Sequence, residues 1–204
     1  MLSQSITKNS LLLAVFAIAA ALTLAGSYLG TKDRIAAEIR KAEEKALLQI
    51  VPRERHDNSM LDDTLPAGAD IAALGLRSEK RIYLARKNGR TVAAIIPVTA
   101  RDGYSGDIDL IVGVNADGSV AGVRALSHKE TPGLGDKVDL KKSDWVLSFE
   151  GKSLAENTWA VTKDGGEFDA FTGATITPRS VVAATKRVLE YAAANEAVLF
   201  GDES

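Results

Sequence analysis

The sequence predicts an α+β protein: an N-terminal single transmembrane helix followed by a small antiparallel-sheet domain with flanking helices. Three observations carry that expectation. Leu11 to Gly30 is a run of twenty residues without a charge. Alternating apolar runs then recur between residues 81 and 126, separated by Asn-Gly and Asn-Ala-Asp-Gly turns. A helical pattern closes the chain from about Pro178 to Leu199.

The apolar run, at about 1.5 Å per helical residue, spans about 30 Å, the hydrocarbon core of a bilayer. Tyr28 near its end suits the interface. A cleaved signal peptide is the alternative, but its apolar region usually covers only about 7–15 residues. A retained anchor over 11–30, behind a short tail over 1–10, is therefore expected. From Lys32 to Ile50, Ile35, Ile39, Ala42 and Ala46 recur at helical spacing while Glu38, Lys41 and Lys45 face away. Residues 52–70 are polar and contain Pro52, Pro66 and Gly68, the composition of a linker. These assign 31–70 to a juxtamembrane helix and linker, and 71–204 to the folded domain.

Within the domain, Arg81–Lys87, Asn88-Gly89 and Arg90–Val98 form a hairpin signature, because Asn-Gly suits a type I′ turn. Ile108, Leu110, Val112 and Val114 alternate, and the turn at 115–118 leads into a second strand through Leu126. Asp144–Phe149 is expected as a short helix packing Trp145 inward, and Trp159–Thr162 as a further short strand. On the closing helix Val181, Ala184, Thr185, Val188 and Ala192 share one face, with Lys186 and Glu190 opposite.

Composition narrows the chemistry. With 25 basic and 27 acidic residues and no basic stripe, no nucleic-acid partner is expected. The absence of cysteine excludes disulfides, cysteine-ligated iron–sulfur clusters, c-type haem attachment and lipoprotein acylation within this chain. Two histidines, His56 and His128, are too few for a histidine-rich metal site, and no metal is expected. Asp102, Asp107 and Asp109 lack calcium-loop spacing and read as solvated turn and strand charge.

Two loops stand out. Asp169 to Pro178 reads Asp-Ala-Phe-Thr-Gly-Ala-Thr-Ile-Thr-Pro. Thr177 is expected as the N-cap of the closing helix and Pro178 as its first residue, with Gly173 and Ala174 allowing a tight turn before it. Thr175 then lies beside free N–H groups at the positive end of the helix dipole, a place that suits phosphate. The same residues also open ordinary helices. The second loop, Ser127-His-Lys-Glu-Thr-Pro-Gly-Leu-Gly-Asp136, is stiffened by Pro132 and carries Leu134 as an exposed apolar tip suited to a flat aromatic ring. Gly103-Tyr-Ser-Gly106 is a third small-residue loop. His128 and Glu130 can be read as an acid/base pair, or as packing and loop-capping groups; the second reading is preferred, with no catalytic residue assigned.

The stretch from Asp169 resembles the flavinylation motif of the FMN-binding domain family: Asp169, two arbitrary residues, Thr172, Gly173, Ala174 and the acceptor Thr175. The order of the Gly-Tyr-Ser-Gly-Asp, His-Lys-Glu-Thr-Pro-Gly-Leu-Gly-Asp, Ser-Asp-Trp, Phe-Glu-Gly-Lys and Thr-Gly-Ala-Thr-Ile-Thr-Pro segments is similar to the RnfG family, the G subunits of Rnf (Rsx) electron-transport complexes. The flavin-bearing NqrC family of the sodium-pumping NADH:quinone reductase shares the Glu-Thr-Pro-Gly-Leu-Gly and Gly-Ala-Thr elements, while Pro178 and the Gly-Tyr-Ser-Gly loop fit the RnfG family. The resemblance implies covalent FMN on Thr175, with Asp169, Thr172, Gly173, Ala174, Thr177, Tyr104, Gly106, His128, Glu130, Thr131, Leu134 and Gly135 forming its site. It also implies other membrane subunits of an Rnf complex as partners, a flavin transferase, and coupling of ferredoxin/NAD electron transfer to ion movement across the bacterial inner membrane. Lys32, Arg34, Arg40, Lys41 and Lys45 follow the span and only Lys8 precedes it, which by the positive-inside rule keeps the domain in the cytoplasm. The resemblance implies a periplasmic domain instead, and the periplasmic side is the expected one. A flavin-bearing sensor domain and a cofactor-free anchored binding domain are the alternatives.

Overall fold

The computed structural model describes residues 2–67 and 72–201. It divides into two compact units, Met1–Glu43 and Glu44–Ser204. Residues 2–43 of the first belong to helix α1, Leu2–Leu48, which runs through anchor and stalk without a break. From residue 6 to residue 42 its apolar side chains, among them Leu13, Phe16 and Leu24, are exposed, and its length and composition make it a candidate membrane span. The Thr23 and Thr31 hydroxyls donate to the Ala19 and Ser27 carbonyls at 2.9 and 2.8 Å. Their polar hydrogens are thus satisfied inside the helix, as a lipid surrounding requires.

The second unit is built on a five-stranded antiparallel meander in the order β1-β2-β3-β4-β5. The strands are β1 Thr64–Pro66, β2 Arg81–Lys87, β3 Arg90–Gly103, β4 Gly106–Asn115 and β5 Val120–Ser127. Asn88 (φ 53°) and Gly89 (φ 78°) both adopt the positive φ that a type I′ turn demands, so the β2–β3 hairpin forms as expected. Strand β1 falls where a linker was expected: three residues are too few to show alternation, and Pro66 belongs on an edge.

Both sheet faces are covered, which explains the unbroken burial of Ala93–Ala100 in the central β3. On one face Leu47, Ile50, Val51 and Met60 pack on Ala85, Ala93, Ile95 and Ile111. Ile50 lies so close to Gly113 that a Cβ there would collide with its Cγ2. The other face packs against α2, Ile176–Ala194, whose buried positions include Val181, Ala184, Thr185, Val188 and Ala192. This is the inner face the periodicity predicts. The closing helix is shorter than expected. At Asn195 the side-chain amide and backbone N–H both bond the Tyr191 carbonyl, and a separate turn α3, Glu196–Phe200, follows.

Irregular chain between β5 and α2 holds the aromatic cluster. Asp144–Phe149 is a 3-10 helix that buries Val146 and Phe149, while Trp145 is only half-buried. The expected strand at Trp159–Thr162 is absent: Val161 makes one parallel bridge to Phe168, and Thr162–Asp164 turns as a 3-10 helix. Phe149 and Phe168 stack with centroids 4.4 Å apart.

Glu167 ties this segment together, accepting from Lys152 Nζ (2.9 Å), the Thr158 N–H (2.9 Å) and Asn157 Nδ2 (2.8 Å). Hydrogen bonding from Lys152 first, then from Thr158 and Asn157, holds its carboxyl at about 2. A depressed folded-state pKa stabilises above the unfolded value and is lost as pH falls through the folded one. The wild type should therefore lose stability between about pH 4.5 and pH 2 faster than Glu167→Gln, measured as Tm against pH. Parallel curves for the two proteins would refute this.

Candidate functional site

Three loops distant in sequence meet at the N-terminus of α2, and Glu130 joins them. Glu130 is buried, 5% exposed. One carboxylate oxygen accepts the Ser105 N–H at 2.8 Å, from the turn joining β3 to β4. The other accepts the hydroxyl of Thr177 in a short hydrogen bond. Gly135 is pressed against this joint: a Cβ there would sit 2.8–2.9 Å from Glu130 Oε2, Glu130 Cβ and Thr177 Oγ1. Only glycine permits that approach. The loop is closed by the Thr131 carbonyl, which accepts from the Leu134 and Gly135 N–H groups at 3.1 and 3.0 Å, and by Asp136 Oδ1, which accepts the Gly133 N–H at 2.8 Å. His128 is half-buried, with Nδ1 3.3 Å from the Glu130 N–H.

The stretch 169–177 turns at Gly173 (φ 81°), where the Ala174 N–H donates to the Phe171 carbonyl at 3.1 Å. Gly173 faces the second loop, with Leu134 Cδ2 3.6 Å from its ideal Cβ position. Leu134 (42% exposed) and Tyr104 (67% exposed) leave apolar surface on two of the three loops, and Gly106 turns at φ 115° beside Tyr104. Asp169 and Thr172 are exposed; the Asp169 carbonyl accepts Trp145 Nε1 at 2.9 Å, and Trp145 meets Phe171 edge-on at 4.9 Å.

The helix start differs from expectation. Thr177 is not the N-cap: it lies inside the first turn, fully buried, with its hydroxyl committed to Glu130. Pro178 likewise sits two residues into α2 rather than first, where its missing N–H still costs no intrahelical bond. The N-cap is Thr175, with φ −77° and ψ −27°. A capping side chain reaches back from an extended backbone; from this helical one Thr175 makes no cap hydrogen bond. Its hydroxyl instead accepts from Lys163 Nζ at 2.9 Å.

Lys163, absent from the sequence-based site, is brought there by its neighbour. Asp164 forms a two-point ion pair with Arg179 of the first turn of α2, at 2.6 and 2.8 Å. Hydrogen bonding from that guanidinium lowers the Asp164 pKa. Ser180 is anchored in turn by Asp102 Oδ1 at 2.7 Å. The acidic cluster is thus dispersed: Asp107 pairs with Arg77 (2.6 Å) and Asp109 accepts the Thr99 hydroxyl (2.7 Å). A cleft of ≈ 870 Å³ lined by Leu189, Ala192, Glu196 and Phe200 lies toward the other end of α2 and shares no residue with these loops.

Comparison with known proteins gives the chain a family. Residues 103–190 match the FMN-binding domain family, and residues 1–50 match the RnfG N-terminal region. The G subunit of the ion-translocating oxidoreductase complex of Pseudoalteromonas atlantica is 46% identical over 98% of this chain and 94% of its own length. Its Pseudomonas aeruginosa counterpart is also 46% identical, with the same coverage. Among solved structures, Shewanella oneidensis NqrC matches with a TM-score of 0.46 and 24% identity over 67% of each chain. Near-complete coverage at such identity, with both family regions in sequence order, means that this chain belongs to the RnfG family, the G subunits of ion-translocating oxidoreductase complexes.

Proposed function

We propose that this chain is a membrane-anchored electron-transfer subunit of an Rnf-type complex, with FMN held as a phosphoester on Thr175. The observation that carries the reading is the Thr175 hydroxyl: at the N-cap of α2, unused for capping, and beside the Lys163 ammonium. The residues fit the group. The first-turn N–H groups of α2 lack intrahelical acceptors and suit a phosphate. Leu134 and Tyr104 offer exposed apolar surface suited to a flat ring system. When bound, the flavin supplies the redox chemistry; with no cysteine, the chain has no thiol–disulfide couple of its own.

The protein's part is attachment, orientation and electrostatics. Attachment through the phosphate prevents loss of the cofactor during turnover, and the Glu130 joint fixes the second loop relative to the acceptor threonine. With one flavin as carrier, electrons arrive from and leave to other membrane subunits of the complex, and the whole couples ferredoxin/NAD electron transfer to ion translocation. A flavin transferase attaches the FMN, and the domain lies on the periplasmic side of the inner membrane.

Intact mass of the chain isolated from its native host tests the attachment: added mass of one FMN should map to the peptide containing Thr175. An unmodified chain would reduce the protein to an anchored binding domain. Protease added to spheroplasts should digest the domain; protection would place it in the cytoplasm.

A further inference from the structure

We propose that Lys163 is the positioning residue for the flavin phosphate at Thr175, holding the unesterified hydroxyl and then serving as counter-charge to the finished phosphodiester. This rests on Thr175 as the attachment point.

Lys163 Nζ donates to Thr175 Oγ1 at 2.9 Å. The contact does not depend on one flexible side chain alone. The 3-10 turn Thr162–Asp164 is fixed at its start by the bridge of Val161 to Phe168, and at its end by the Asp164–Arg179 pair. Gly166 allows the chain after it to fold back tightly, since a Cβ there would collide with the Ala160 carbonyl. Thus Arg179, the cation on the first turn of α2, is engaged by Asp164, and Lys163 is left directed at the acceptor oxygen.

A serine or threonine phosphodiester carries one negative charge on two oxygens attached to the phosphorus next to Oγ1. An ammonium already within hydrogen-bond distance of Oγ1 is placed to donate to those oxygens, adding a charge-assisted bond to the N–H groups of the helix start. Lys163 is exposed and Thr175 half-buried, so salt screens the interaction in part.

The test uses the full chain produced with its flavin transferase, comparing wild type, Lys163→Met and Lys163→Arg. Because Lys163 is exposed, all three should melt within about 2 °C of one another. Lys163→Met should slow appearance of the flavin mass about tenfold, a loss expected for one charge-assisted bond, while Lys163→Arg stays within about threefold. In the flavinylated proteins, the phosphorus NMR resonance should move in Lys163→Met and stay near the wild-type position in Lys163→Arg. Matching rates and superimposable phosphorus spectra for Lys163→Met and wild type overturn the inference and leave Thr175 as the attachment point. Equal losses in Lys163→Met and Lys163→Arg also overturn it, because charge would not be the property used. Flavin retained on Thr175→Val would instead remove the attachment reading itself.

Discussion

Thr175→Val is expected to leave the chain without covalent flavin and otherwise folded. Valine keeps the shape and β-branching of threonine and removes only the hydroxyl. At an ordinary N-cap that change costs about 1 kcal/mol, because a first-turn N–H loses its acceptor. Here the Thr175 side chain makes no cap hydrogen bond, so the stability change should fall within about 0.5 kcal/mol. Loss of flavin can then be separated from loss of fold. Thr172→Val is the matched control: the residue is exposed, three positions earlier, and across the Gly173 turn from the N-cap. On a denaturing gel the wild type and Thr172→Val should show a fluorescent band at the chain's mass, and Thr175→Val none. A band persisting in Thr175→Val would move the attachment site elsewhere, and loss of the band in Thr172→Val alone would exchange the two roles.

The architecture was legible where local rules dominate. The Asn88-Gly89 turn could hardly join anything but a tight hairpin, and the apolar spacing of α2 marked its buried face because one helix side must meet the sheet. Local rules failed where tertiary contacts decide. Thr177 and Pro178 look like a cap and a first turn, yet the buried Glu130, 47 residues earlier, takes the Thr177 hydroxyl and the helix begins sooner. Strand β1 owes its existence to pairing with β2, not to its own three residues. In the site, the small-residue loops announce themselves because backbone constraints need glycine and proline. Lys163 does not: Lys-Asp-Gly-Gly reads as a solvated turn, and only the Asp164–Arg179 pair shows why its ammonium meets Thr175. Trp145 and Phe171 are likewise joined only by the fold.

Glu130→Ala should destabilise the folded unit by roughly 3 kcal/mol, lowering the melting temperature of the solubilised full chain by about 6–12 °C. Truncation removes the acceptor of two donors at once. The Ser105 N–H and the Thr177 hydroxyl, the latter fully buried, would lose their partner in a space too tight at Gly135 to admit ready substitution. It also removes a negative charge from beside the first turn of α2, where the helix dipole favours one. Glu130→Gln should behave differently. Its amide oxygen can keep the Ser105 N–H, and its NH₂ can donate to the Thr177 hydroxyl, which then turns to accept; the charge and the acceptor of the Thr177 proton are lost, at a cost of about 1–2 kcal/mol. Thr177→Val on the Glu130→Ala background should add little further loss, since the bond it would remove is already gone. Additive losses in that double variant, or a Glu130→Ala protein that melts with the wild type, would mean that the three loops are held together by something other than this carboxylate.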